Sequence, residues 1–323
     1  MKIGQLFNLP KFKAFMDSAK RPGFTDTYGG ITLARDLTMI NPKIFEKKYP
    51  ELSFVNSGIQ VDNTGGYANQ IESLRLIDLG SFADATDESD NKGKISLAGE
   101  SSLIKVKKRE AHSKWSDDEV KEAGLRNVNL VQQFLSAHNK IYMREIDTAG
   151  YLGIAGNKGL LNESWATSAA ASDADNMTGQ DLYNEIAGLI NAQWDSVMNV
   201  PEYMANRVDM PPRVLNRATV KMIALPATGN TTTVIKALRD NFPGVTFGQT
   251  ARAESIAKGG GVQTSVTVAY SNNPDAMVMR IPQPLEISEI IKVTGFDFRV
   301  DSKYRVAGLD VLEHDVARTL TGL

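Results

Sequence analysis

One stretch limits the possible folds of this chain more than any other: residues 129–149 have the pattern of a long amphipathic helix. Apolar side chains recur there at spacings of three, four and seven, which places them along one side of a helix: Val131, Phe134, Leu135, Ile141, Tyr142 and Ile146. Asn129 and Gln132 have the spacing of a capping box, and Gly150 is predicted to end the helix. A helix of about twenty residues is about 30 Å long, so we expect it to form a spine for the segments on either side.

Length, charge and composition exclude several classes of protein. The chain has 323 residues, enough for about two domains, and a formal net charge of only −2. It therefore lacks the overall basic field of a nucleic-acid-binding protein. The absence of cysteine excludes disulfides, thiolate catalysis and zinc–sulfur sites, and it suits synthesis in a reducing cytoplasm. No apolar run approaches the ~18 residues of a membrane-spanning helix, so we expect no membrane partner.

The N-terminal segment, residues 1–57, is interrupted by many prolines and glycines and is predicted to contain little regular structure. Up to Lys48 it contains nine Lys or Arg against four Asp or Glu, a local charge of +5. It is either a solvated tail or an arm laid across a neighbouring molecule. Its aromatic residues favour the arm, because a free tail seldom contains so many; they are Phe7, Phe12, Phe15 and Phe24.

The next segment has the pattern of a long charged β-hairpin. Residues 70–79 and 102–110 alternate as strands do, and residues 81–100 between them hold five acidic residues against two lysines. An acidic group is predicted at the tip and a basic group on the return strand: Asp84, Asp87, Glu88 and Asp90, and Lys105, Lys107, Lys108 and Arg109. An isolated two-stranded ribbon is marginal in water. The opposite charges suit contact with a second copy, whereas the alternative is an internal hairpin with one solvated face.

The rest of the chain mixes helices and strands, which indicates an α+β fold. The patterns predict a short helix capped by Ser116 and Glu119 and ended by Gly124, and a second long helix that begins after Thr178. Further along they predict a β-rich run over 213–225, a helix over 232–240, and strands over 245–247, 264–270, 276–279 and 296–300.

No motif in the chain indicates catalysis. Gly150, Gly153, Gly156 and Gly159 lack the spacing of a phosphate-binding loop and are interpreted as a tight structural turn. The three histidines, His112, His138 and His314, do not have metal-ligand spacing and are interpreted as satisfied or surface side chains. We therefore predict no enzyme activity, no catalytic residue, no cofactor and no metal site.

The order of the parts resembles a known family. A hairpin with an acidic tip, Trp115-Ser116 with Glu119, the long helix and the G-x-x-G-x-x-G-x-x-G-L-L-N run of residues 150–162 follow one another as in the major capsid proteins of tailed bacteriophages, which have the Hong Kong 97 fold. LRDNFPGVTF, VTVAYSNNPDAMVMRIPQPLE and YRVAGLDVLEHDVARTL, at residues 238–247, 266–286 and 304–320, are similar to the closing portion of one subfamily. The resemblance covers most of residues 60–323.

The resemblance implies a division of the chain into five parts. These are an N-terminal arm (1–57), an extended E-loop hairpin (58–113), a peripheral domain (114–213) that contains the spine helix (129–149), an axial domain (214–298) and strands that return to the peripheral domain (299–323). The second long helix, over 178–200, is expected beside the spine helix.

The same resemblance implies a structural role. The chain would assemble with itself into hexamers and pentamers of an icosahedral head, located in the virion capsid and assembled in the cytoplasm of the bacterial host. The head would enclose double-stranded DNA without sequence-specific binding. Expected partners are a portal, a decoration protein and a scaffolding protein, the last encoded separately because only a short arm precedes the hairpin. The alternatives are an encapsulin-type compartment shell and a soluble α+β enzyme or ligand-binding domain.

Overall fold

The structure, a computed structural model, describes residues 52–82, 94–125, 128–154, 156–224, 231–254, 256–258 and 262–323. The contacts given below lie within one body, residues 48–121 and 129–323. The described helices are α1 (Asp117–Leu125), α2 (Leu130–Leu152), α3 (Gly179–Ser196), α4 (Pro212–Val220) and α5 (Val234–Asn241), with short 3-10 helices at Phe54–Ser57 and Ala251–Ala253. None of these helices is both long enough and apolar enough to cross a membrane.

The described strands form several small sheets rather than one continuous sheet. In chain order they are β1 (Val61–Asp62), β2 (Gln70–Gly80), β3 (Ile95–Lys105), β4 (Lys107–Ser116), β5 (Ala166–Ala169), β6 (Arg207–Met210), β7 (Met222–Ala224), β8 (Thr231–Thr233), β9 (Thr246–Gln249), β10 (Ile256–Lys258), β11 (Val262–Thr264), β12 (Val266–Tyr270), β13 (Met277–Arg280), β14 (Gln283–Ile287), β15 (Ile291–Lys292), β16 (Asp297–Val306), β17 (Gly308–Val311) and β18 (Ala317–Thr321). A mixed sheet in the order β5-β18-β12-β6-β9 lies at the centre, and β4 joins a second sheet through β16.

The central sheet lies between two hydrophobic cores. All five residues of β12 are buried, and because side chains alternate across a strand, Val268 and Tyr270 enter one core while Ala269 enters the other. The first core also contains the buried side chains of α2. The second contains those of α3, α4 and α5. Helix α3 therefore shares a core with α4 and α5, which differs from its expected place beside the spine helix.

The spine helix begins as predicted but ends later. Asn129 Oδ1 accepts a hydrogen bond from the Gln132 N–H at 3.1 Å, which confirms the cap. The predicted stop at Gly150 is wrong, because α2 continues to Leu152 and is followed by Gly153 with φ of 80°. Gly150 has another role: a Cβ atom there would lie 2.3 Å from the Phe54 ring. The glycine lets Phe54 pack directly against the helix backbone.

The predicted return strand of the hairpin, residues 102–110, is two different strands in the structure. Strand β3 pairs with β2 from Gln70↔Lys105 to Gly80↔Ile95, whereas β4 leaves the ribbon and pairs with β16 over all ten of its residues. Val106 separates them and is buried with Ile104 and Ala307, so one alternating pattern continues across the junction. The prediction merged the two strands for this reason.

Other predicted elements have mixed outcomes. The capping box of α1 is confirmed, since Ser116 and Glu119 exchange hydrogen bonds of 3.1 and 3.2 Å. The β-rich run over 213–225 is mostly wrong, because Pro212–Val220 is helix α4 and only Met222–Ala224 is a strand. Pro212 suits a first helical turn, and Val214 and Ala218, four residues apart, are both buried. Residues 1–51 of the predicted arm lie outside the described residues.

Substitution of Gly150 tests the packing of Phe54 on α2. We expect Gly150→Ala to destabilise the isolated subunit by about 1–3 kcal/mol, since the added methyl overpacks a filled site. Chemical denaturation followed by circular dichroism measures the change. Gly188→Ala in α3 is the matched control, because nothing lies within 4 Å of its added Cβ and alanine is the better helix former. Equal stability of Gly150→Ala and the unsubstituted protein would contradict this account.

Candidate functional site

The ribbon of β2 and β3 has two unequal faces. Residues directly opposite each other in an antiparallel pair point to the same face, and the register pairs Leu76 with Gly99 and Asp78 with Leu97. Five aliphatic side chains therefore share one face: Leu74, Leu76, Ile95, Leu97 and Leu103. Each is between 53% and 70% exposed. We call these five residues the apolar hairpin face.

The opposite face fastens the ribbon to the body of the chain. Ser73 Oγ donates a 2.7 Å hydrogen bond to Asp310 Oδ2, and Arg75 Nη2 lies 2.6 Å from Glu313 Oε1. Asp310 is fully buried and also accepts from Arg280 Nε at 3.0 Å. These contacts fix which face of the ribbon is directed towards solvent.

A second ion pair links this network to β1. The Arg280 guanidinium donates to the Asp62 carboxylate. The pKa of Asp62 is lowered, first by the hydrogen bond from the Thr64 N–H and also by Arg280. The charge on Asp62 is thereby stabilised next to the ribbon base.

An exposed face of this kind is informative because it is continuous. A single exposed leucine is normal on a protein surface, whereas a contiguous apolar patch marks a contact with another molecule. Sequence reasoning missed this face, although it placed a hairpin here. The signal was present in Leu74, Leu76 and Leu97, but only the register of β2 against β3 shows that they lie together.

The four predicted basic residues are not gathered on the ribbon. Lys105 ends β3, while Lys107, Lys108 and Arg109 begin β4. Arg109 Nη2 lies 3.3 Å from Glu145 Oε1 of α2, and Lys108 pairs with Glu110 on its own strand. Lys105 and Lys107 have no ion pair within the part of the chain that the structure describes. The predicted acidic residues Asp84, Asp87, Glu88 and Asp90 lie outside the described residues.

His138 joins α2 to the sheet beneath it. Its Nδ1 lies 2.7 Å from Ser302 Oγ on β16, and its Nε2 lies 2.8 Å from Ser113 Oγ on β4. Ser302 Oγ donates to the Ala111 carbonyl, so it accepts from Nδ1–H and leaves Nε2 to accept from Ser113. Burial lowers the pKa of His138; Asp301 opposes that shift and His112 adds to it. The interpretation of His138 as a satisfied side chain is confirmed.

The glycines at the end of α2 and just after it allow backbone segments to approach each other closely. A Cβ atom on Gly153 would lie 2.1 Å from the Asn157 carbonyl oxygen, and one on Gly159 would lie 2.4 Å from the Gly153 nitrogen. These approaches agree with the predicted structural turn. Among the described residues, no three His, Cys, Asp or Glu side chains are grouped so that they could hold a metal ion.

Comparison with known families gives a match over most of the chain. The family model described as "Major capsid protein" matches residues 85–323. This chain belongs to the major capsid protein family. Membership indicates a structural, non-enzymatic role. A search of curated protein sequences gave no match to this capsid protein.

Solved structures agree with this assignment. The capsid of Myoviridae phage XM1 is 44% identical to this capsid protein, with a TM-score of 0.82, and the alignment covers 91% of this chain and 100% of that one. This capsid protein is therefore a structural component of a bacteriophage virion capsid.

Structures with lower sequence identity support only the assignment of the fold. The mature capsid of bacteriophage PhiM1 matches at 13% identity and a TM-score of 0.61, over 88% of this chain and 91% of that one. The capsid of a native GTA particle matches at 12% identity and a TM-score of 0.60, over 91% and 97%. The predicted α+β class and Hong Kong 97-type fold are confirmed.

The contacts of His138 predict a pH dependence of subunit stability. Its folded pKa is lowered from the unfolded value of 6.5, so the unfolded chain takes up the proton first and stability falls as pH decreases below about 6.5. We expect the unfolding temperature of isolated subunits to fall less between pH 7 and pH 5 in His138→Gln than in the unsubstituted protein. Identical slopes for the variant and the unsubstituted protein would refute the assignment.

Proposed function

We propose that copies of this capsid protein cover one another's apolar hairpin faces while they assemble into the hexamers and pentamers of an icosahedral head. The observation that carries the proposal is the apolar hairpin face itself, with five aliphatic side chains more than half exposed. Among the described residues, side chains on the opposite face hold the ribbon to its own body. A neighbouring copy supplies the missing cover.

The free energies involved support a contact that is weak between two isolated subunits and strong in a closed shell. Covering one such leucine or isoleucine contributes about 1–2 kcal/mol, so the whole face contributes about 5–10 kcal/mol. Association of two proteins costs an estimated 4–15 kcal/mol, which leaves an isolated pair marginal. In a closed shell each subunit gives one such contact and receives another, and the repeated contacts act together.

The remaining parts of the proposal concern the head as a whole. The five-part division at residues 57, 113, 213 and 298 is retained as a proposal, supported for its second part by the β2–β3 ribbon, which lies within residues 58–113. The head encloses double-stranded DNA without sequence-specific contacts, in keeping with a net charge of only −2. Scaffolding, portal and decoration proteins are proposed partners, and the bacterial cytoplasm is the proposed place of assembly.

Nuclease treatment of purified particles tests what the head encloses. We expect double-stranded DNA that is protected from the nuclease, whereas particles that contain protein cargo would contradict the proposal.

Serine substitution tests the apolar hairpin face. We expect Leu74→Ser with Leu97→Ser to abolish particles seen by electron microscopy, because a neighbour no longer gains by covering the face. Subunit unfolding should be unchanged, since both leucines are exposed. Leu79→Ser is the control: Leu79 is 50% exposed but lies on the other face of the same ribbon. Normal particles from the double variant would contradict the proposal.

Charge reversal tests a proposed electrostatic contact between a basic group of one subunit and an acidic group of its neighbour. The basic group is Lys105, Lys107, Lys108 and Arg109, and the acidic group is Asp84, Asp87, Glu88 and Asp90. Lys105 and Lys107 are chosen because they have no ion pair in the described structure. We expect Lys105→Glu with Lys107→Glu to lower particle yield, most strongly at low salt, where screening is weakest. The double Lys→Arg variant keeps the charge and should assemble normally. A yield independent of charge at every salt concentration would exclude this contact.

A further inference from the structure

We infer that one buried carboxylate, that of Asp147 on α2, couples two distant segments of the subunit. The first segment, residues 53–62, joins the arm to the body, and we call it the strap. The second is the 3-10 helix Ala251–Ala253, which precedes strands β10 and β11. The coupling acts within one subunit, and its use in a shell rests on the proposed function.

The carboxylate of Asp147 is shared between the two segments. Asp147 is only 2% exposed. Its Oδ1 accepts a hydrogen bond from the Phe54 N–H of the strap at 3.1 Å, and its Oδ2 accepts one from Arg252 Nε at 3.0 Å. A buried charge needs such partners, because its removal from water is otherwise costly. Each oxygen of Asp147 therefore holds a different part of the chain.

The strap is an integral part of the body. Phe54, Ser57 and Ile59 are buried, and the Phe54 ring packs edge-on against Tyr151 with 5.2 Å between the ring centroids. At the end of the strap, β1 pairs in parallel with β13. The strap therefore has a defined docked position, and leaving that position breaks both apolar and polar contacts.

The strap also contacts a second buried ion pair. Arg207 Nε donates to Asp209 Oδ1 at 2.9 Å, and Arg207 Nη1 donates to the Asn56 carbonyl of the strap. Asp209 is fully buried. Lifting the strap therefore disturbs two buried ion pairs at once, that of Asp147 with Arg252 and that of Asp209 with Arg207.

The 3-10 helix that carries Arg252 connects the central sheet to the β10–β11 hairpin. It follows β9, which pairs with β6 in the central sheet, and it precedes the antiparallel pair of β10 and β11. Its own turn is short, with the Ala253 N–H 3.2 Å from the Thr250 carbonyl oxygen. The ion pair between Arg252 and Asp147 adds a link from this turn to α2, just before the hairpin begins.

The two contacts of Asp147 strengthen each other. The attraction between two charges falls as the local dielectric constant rises, so water weakens an ion pair. The docked strap keeps water from Asp147 and thereby strengthens its pair with Arg252, whose side chain is 36% exposed. The guanidinium of Arg252 in turn holds the carboxylate in the orientation that presents Oδ1 to the Phe54 N–H. Such a coupling between two sites is reciprocal.

This coupling gives the arm a means of acting on the proposed axial domain. The strap begins within the proposed arm, residues 1–57, and β10 and β11 lie within residues 214–298, the proposed axial domain. An arm held by a neighbouring copy keeps the strap docked, and the docked strap steadies the 3-10 helix before β10. Contact made by the arm is thereby transmitted to the proposed axial domain.

Hydrogen–deuterium exchange of isolated subunits, measured by mass spectrometry, tests the coupling from the side of Arg252. We expect Arg252→Gln to raise exchange in strap residues 53–59 by about tenfold, because exchange follows local opening. Arg252→Lys keeps the charge and should restore most of the protection. Arg217→Gln is the matched control, since Arg217 pairs with Asp175 rather than with Asp147, and it should leave the strap unchanged. Exchange that rises only around residue 252 would overturn the inference.

Weakening the strap gives the reciprocal test. Phe54→Ala removes the ring but keeps the N–H, and we expect exchange in residues 251–254 to rise together with exchange in the strap. Val55→Ala is the control, because Val55 belongs to the strap but is 57% exposed. An opened strap with unchanged exchange in residues 251–254 would overturn the inference. If Phe54→Ala unfolds the whole subunit, exchange in α3 also rises, and the Arg252→Gln result decides.

The coupling and the proposed function can fail separately. The exchange measurements use isolated subunits and do not involve the apolar hairpin face. The proposed function fails if Leu74→Ser with Leu97→Ser assembles normally, whatever the exchange of the strap. The coupling fails if the strap and residues 251–254 open independently of each other, whatever the particle yield of the serine variant.

Discussion

Five aliphatic side chains are held in water by a ribbon whose opposite face is tied to Asp310 and Glu313. The proposed contact between copies depends on this constraint, because the ribbon cannot turn its apolar face inwards without breaking those contacts. The body does not need that face for its own stability. Both hydrophobic cores form on the central sheet from other residues. The apolar hairpin face is therefore available for a neighbouring copy.

The body that presents the ribbon is held together by buried carboxylates. Asp209 is fully buried and accepts hydrogen bonds from the Tyr151 and Tyr270 hydroxyls at 3.1 and 2.8 Å and from Arg207 Nε at 2.9 Å. Burial raises the pKa of Tyr270 well above its ordinary value, with the Asp209 charge as a further cause. Such a network is strongly destabilised when one partner is removed, since a buried charge is left without compensation. The network ties α2 to strands β6 and β12 of the central sheet.

Local sequence patterns, such as helix caps, predicted much of the fold. The features that were predicted wrongly depend on contacts between residues far apart in sequence. The caps at Asn129 and Thr178 are confirmed because a cap depends on residues three apart. The end of α2 was predicted wrongly because Gly150 makes room for the ring of Phe54, which is distant in sequence, and does not end the helix. The merged return strand and the missed apolar hairpin face have a common cause. Both depend on which strand pairs with which, and alternation alone does not specify the partner.

The central claim is that the apolar hairpin face is open in one subunit and covered in the shell. Hydroxyl-radical footprinting with mass spectrometry measures the accessibility of individual leucine side chains in both states. We expect strong labelling of Leu74, Leu76 and Leu97 in isolated subunits and strong protection of all three in assembled particles. Equal labelling of these leucines in subunits and in particles would contradict it.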